Sequence, residues 1–109
     1  MVIVSDMKYL IVSTTVSKKI EAERISNKLL ADKLSACTQI IGPITSIYKW
    51  QGKKIKAKEW LCLIKTAAVK YKKVEQVIKA LHPYELPEII ALPISTGSKE
   101  YLNWLNQTG

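Results

Sequence analysis

The chain has no phenylalanine, a single histidine (His82), a single arginine (Arg24), two cysteines and four glycines in 109 residues. Each shortage excludes something. Cys37 and Cys62 are too few and too far apart for a disulfide framework or a closed zinc site, which needs about four ligands at short spacing. With one histidine and scattered serines there is no visible nucleophile and base pair. The segment Ser13 to Lys19 after the first apolar run has neither glycines to cradle a phosphate nor an arginine to stabilise one. No enzymatic activity and no organic cofactor are therefore expected. The formal charge of +8 rests on sixteen lysines beside that one arginine. Forked guanidinium groups dominate specific phosphate and base readout, so the lysines read as a solubilising surface and no specific nucleic-acid partner is expected. No apolar run approaches the ~20 residues of a membrane span, and MVIVSDMK lacks the basic start and long apolar centre of a secretory signal. No membrane partner and a cytoplasmic location follow as expectations.

What is present is hydrophobic period. The composition is 48% hydrophobic without any linker-like stretch, which fits one domain over residues 1–109. Met7 to Thr14 is β-branched and apolar and reads as a first strand. Ser17 then stands where a helix cap would, and the helix runs to about Lys33 with Ala22, Ile25 and Leu29 on one face. Ala36 to Trp50 reads as a second strand interrupted at Gly42-Pro43, where a ladder donor is missing and a bulge is expected. Gln51-Gly52-Lys53-Lys54 supplies a tight turn, and Ile55 to Thr66 returns as a third strand, so the pair forms a long hairpin. Val74, Val77, Ile78 and Leu81 mark one face of a second helix over about Val69 to Leu81, which Pro83 stops by forcing His82 out of helical geometry. Glu88 to Ile94 is a fourth strand and Lys99 to Asn106 a short final helix. The order βαββαβ is an α+β, ferredoxin-like sandwich with a long β2–β3 hairpin and a short C-terminal helix.

Two main helices cover only one face of a four-stranded sheet. Yet WLCLI, Trp60 to Ile64, and IIALPI, Ile89 to Ile94, are apolar at successive positions, so both faces of those strands call for burial. No residues remain for another layer. Self-association through the open face or the sheet edges follows.

The order ACTQIIGPITSIYKWQGK, EWLCLIKT, ALHPYELPEIIALPI and KEYLNWLN resembles the CutA divalent-cation-tolerance family, from about Tyr9 to Asn106. The resemblance implies a ferredoxin-like protomer assembled as a homotrimer of PII-like architecture. It also implies a part in tolerance to copper and other divalent metals, by weak metal binding without catalysis.

His82 matches the family's HPY histidine, and beside Pro83 it sits on a rigid turn suited to a borderline ligand for Cu2+ or another divalent cation. Cys37 matches the cysteine that opens the family's second strand and is the other candidate metal residue. Some bacterial members carry a further cysteine and histidine where this chain has Ser13 and Leu81, so strong copper binding is not expected. The resemblance also assigns Tyr48, Lys65, Tyr84 and Glu85 to a pocket between subunits. Bland roles stand beside these: the prolines at 83, 87 and 93 fix the path into the fourth strand, and small thiols fill cores. The alternative function is a trimeric scaffold or signalling module whose hairpin KWQGKKIKAK, with five lysines, holds an acidic protein partner or a small anion.

Overall fold

The computed structural model describes residues 8–108, so the expected strand start at Met7 lies outside the described residues. The elements run β1 (Tyr9–Val16), α1 (Lys19–Ala31), β2 (Cys37–Trp50), β3 (Lys53–Ala67), α2 (Tyr71–Leu81), β4 (Ile90–Pro93) and α3 (Lys99–Thr108). The sheet order is β2-β3-β1-β4, antiparallel throughout, as in the ferredoxin-like sandwich.

Period-2 alternation gives the sheet two chemically different faces. Val12, Thr14 and Val16 of β1 and Cys62 and Ile64 of β3 point to the helices and are fully buried. They pack there against Ala22, Ile25 and Leu29 of α1 and Val74 and Ile78 of α2. The opposite, open face carries Ile11, Ser13 and Thr15, cross-strand from Lys65, Leu63 and Leu61. On its β4 side it carries Ile90 and Leu92, which remain 54% and 53% exposed. α3 lies against β3, with the Lys65 ammonium donating to the Tyr101 hydroxyl at 3.0 Å.

Three local expectations are corrected. The start of α1 is not capped by Ser17. Glu21, in the first turn, accepts from the Lys18 N–H at 3.1 Å and from the Ser17 hydroxyl at 3.0 Å, so a carboxylate satisfies the orphan donor. The hairpin turn is two residues, Gln51-Gly52, both left-handed at φ 52° and 78° as a type I′ turn requires, and Lys53 and Lys54 already belong to β3. β4 starts later than Glu88, with register to β1 from Ile90 to Pro93 and one more bond from the Ile94 N–H to the Tyr9 carbonyl at 2.9 Å. The bulge at Gly42-Pro43 is where expected: register shifts between Ile41 and Ile44. A side chain at Gly42 would stand 2.5 Å from the Trp60 indole, so the glycine lets the ring lie on the bulge.

Candidate functional site

Past the bulge, the hairpin continues beyond the helices and keeps its alternation. The register places Ser46, Tyr48 and Trp50 with Glu59 on the open-face side, and Lys49, Lys54, Lys56 and Lys58 on the other. Facing that aromatic side is the segment from Tyr84 to Ile90, which the α2 stop delivers into β4. Between them lies an open cleft of about 1000 Å³. Thr15, Ser46 and Glu59 line it from the sheet, Tyr48 and Trp50 from the hairpin, and Tyr84, Glu85 and Glu88 from the segment before β4.

His82 sets this arrangement from behind. Its backbone is extended at φ −74° and ψ 132°, because Pro83 follows. Its buried ring donates through Nε2 to the Thr15 carbonyl at 2.8 Å and accepts the Tyr84 N–H on Nδ1 at 3.1 Å. Its ring also meets Tyr84 edge-on, centroids 4.7 Å apart. Tyr84 in turn donates its hydroxyl to Glu59 Oε2 at 2.7 Å. One histidine thus ties the end of β1 to the turn, and the tyrosine ties the turn to β3. Burial, then the bond to Glu59 and that residue's charge, raise the Tyr84 hydroxyl well above its ordinary 10.0, so it stays a donor. At the cleft's edge, Ser13 donates to Glu88 Oε2 at 3.1 Å.

Of the residues expected in a pocket between subunits, Tyr48, Tyr84 and Glu85 line this cleft of one chain, and Lys65 lies elsewhere on the same chain. Lys65 pairs with Cys37 and Ile11, four residues and roughly 13 Å along β1 from Thr15. There Tyr101 raises its ammonium above the ordinary 10.5 by accepting its proton, and the ring lies 5.1 Å below it. Cys37 shares that far end of the sheet, so within one chain it stands well apart from His82. Cys62 is buried on the helix face beside Ser26, and burial pushes its thiol up. As for metal, both imidazole nitrogens are engaged, leaving no free lone pair at His82. No group of three or more His, Cys, Asp or Glu side chains suited to a metal ion occurs among the described residues. A closed metal centre does not fit these residues.

Glu59 and Ser46 went unread in the sequence, and Trp50 was read only within the lysine hairpin. A signal existed for Glu59: in EWLCLI a carboxylate stands in register with Leu61 and Leu63, a charge on an apolar face.

The family model of the CutA1 divalent ion tolerance protein matches residues 10–108. The chain belongs to the CutA1 family. The divalent-cation tolerance protein CutA of Thermus thermophilus is 43% identical over 97 residues, covering 89% of this chain and 94% of its own. Its solved structure superposes with a TM-score of 0.89 over 92% of this chain and 97% of that one, at 42% identity. CutA1 from Oryza sativa gives 0.90 at 36% identity, covering 94% of each chain. CutA from Archaeoglobus fulgidus, called a periplasmic divalent cation tolerance protein, gives 0.89 at 40% identity, covering 92% of this chain and 97% of its own. The ferredoxin-like fold and the tolerance role of the CutA family are thereby common ground between this chain and its relatives.

Proposed function

We propose that the protein is a cytoplasmic homotrimer that acts in divalent-cation tolerance by binding at the hairpin cleft, without catalysis. The observation that carries this reading is the sign of the charge. A chain of formal charge +8 lines its cleft with Glu59, Glu85 and Glu88 and with no lysine or arginine. Focused negative potential in a concave site concentrates cations there, against the trend of the remaining surface. Carboxylates without imidazole or thiolate partners hold Cu(II) or Zn(II) weakly and exchangeably, which suits a tolerance role better than a storage role. His82 enters as the residue that positions Tyr84 and Glu59. Calorimetric titration of the wild type with Zn(II) and Cu(II) is expected to give weak saturable binding, lowered in Glu59→Gln and unchanged in Cys37→Ser. A site lost in Cys37→Ser and kept in Glu59→Gln would overturn the assignment.

One observation favours a second reading, an anion-binding hairpin. Lys49 lies directly opposite Lys54, and Lys56 and Lys58 continue on the same face. Like charges across an antiparallel pair repel, so a polyanion on that face relieves a standing cost. Binding of an acidic peptide that weakens steeply with salt and with Lys54→Gln supports this reading; indifference to both removes it.

A further inference from the structure

We infer that the lysine face of the hairpin takes an extended acidic peptide whose carboxylates recur at every second residue. This rests on the second reading above, the anion-binding hairpin, and names the class of its partner and the spacing of its charges.

Between Asp32 and Glu75 the sequence holds a single carboxylate, Glu59. Register sends it to the open face, where it accepts the Tyr84 hydroxyl. The other face of the hairpin is left positive. Lys54, Lys56 and Lys58 follow one another on that side of β3, and Lys49 stands directly opposite Lys54 on β2. All four are exposed, and the ion pairs among the described residues, Lys28 with Asp32 and Lys79 with Glu75, involve none of them. This is the helix side of the sheet. The apolar surplus that calls for another copy of the chain, Ile90 and Leu92 among it, lies on the opposite side, so assembly through that surplus leaves the lysines facing outward.

Geometry selects the occupant. Alternate residues of a strand lie about 6.7 Å apart, so Lys54, Lys56 and Lys58 offer three ammonium groups over about 13 Å. An extended peptide has the same repeat. Glutamates at i, i+2 and i+4 meet the three lysines in step, while the residues between them point away. Ile47 lies beside Lys56 in the middle of this face, 62% exposed, and gives the glutamate methylenes an apolar contact. A single-stranded nucleic acid also presents a row of negative charges, but it binds through bases stacked on rings. The hairpin's Tyr48 and Trp50 point to the opposite face. Trp60, on the helix side, is taken up by Lys19, 5.7 Å from its centroid, and by the Gly42 bulge. Nor does the hairpin hold an arginine to fork onto a phosphate.

The test is calorimetry of the assembled protein at low salt with two octapeptides of one composition, Glu and Ser alternating or four Glu followed by four Ser. In the block peptide successive glutamates point to opposite sides, so only two of the four reach the lysines. Saturable binding is expected, at least about threefold tighter for the alternating peptide and at least about tenfold weaker in the triple variant Lys54→Gln, Lys56→Gln, Lys58→Gln. A control variant, Lys53→Gln, Lys72→Gln, Lys73→Gln, loses the same charge away from this face and should bind within about twofold of the wild type. All six lysines are exposed, so both variants keep the fold. Equal binding of the two peptides, lost in the first variant alone, sinks the alternate spacing and keeps the anion-binding hairpin. No binding of either peptide, or equal loss in both variants, sinks both. A thymidine pentanucleotide, with four phosphates, bound more tightly than the alternating peptide overturns the inference in favour of nucleic acid. A first variant that no longer sediments as the wild type does assigns the face to another copy of the chain and overturns it too.

Discussion

Tyr84 stands between a histidine behind it and a carboxylate in front, and its position decides whether Glu59 faces the cleft. Removing its hydroxyl in Tyr84→Phe deletes a bond to a charged acceptor, so a loss of about 2 kcal/mol is expected in urea denaturation at neutral pH. Because folding raises this hydroxyl above its ordinary 10.0, the folded chain holds the proton more tightly than the unfolded one. The corresponding stability is fully present below that ordinary value and is lost as pH rises through the alkaline range above it. The gap between wild type and Tyr84→Phe should therefore narrow in alkali; a gap that widened there would refute the assignment. His82 was readable as a constrained residue from the following proline. Its role as a two-sided hydrogen-bond bridge was not, because that depends on Thr15, which is 67 residues away in sequence. Lys65 was carried to a pocket between subunits by family likeness, and within one chain its register sets it at the other end of the sheet from the cleft.

The hairpin shows what an element's pattern reveals and what it hides. Apolar alternation and Gly42-Pro43 located both strands and the bulge, because those signals are local. The turn was read two residues too long, since Lys53 and Lys54 look like turn residues although the Gln51-Gly52 pair suffices to reverse the chain. A left-handed φ of 78° at Gly52, with nothing within 4 Å of an added Cβ, makes the penalty of a side chain there one of backbone alone. Gly52→Ala should cost about 1 kcal/mol, and Gln51→Asn, which tolerates the left-handed region better, should recover a few tenths by thermal denaturation. Equal melting temperatures for wild type and Gly52→Ala would contradict the type I′ turn. The fourth strand was read too long for the opposite reason. Glu88 and Ile89 have strand-like neighbours in sequence but no β1 partner, and Glu88 turns to Ser13 instead.

At the scale of the molecule, the open sheet face decides how the chain behaves in solution. Ile41, Ile90 and Leu92 are each about half exposed there, alongside Leu61, Leu63 and Ile11, which α3 leaves partly uncovered. Successive apolar residues in β3 and β4 announced this surplus in the sequence, because a two-helix layer can bury only one face. The proposed trimer gives the surplus a destination and walls the cleft from outside, so binding and assembly share one surface. Folding is then coupled to association, and a charge at Leu92, as in Leu92→Lys, should both dissociate and destabilise the protein. Sedimentation velocity across a micromolar dilution series, with circular dichroism on the same samples, is the most direct test of that shared surface. The account predicts one species of three 12.3 kDa chains that persists on dilution and is lost in Leu92→Lys. A wild-type chain that sediments as a stable, fully folded monomer would contradict it.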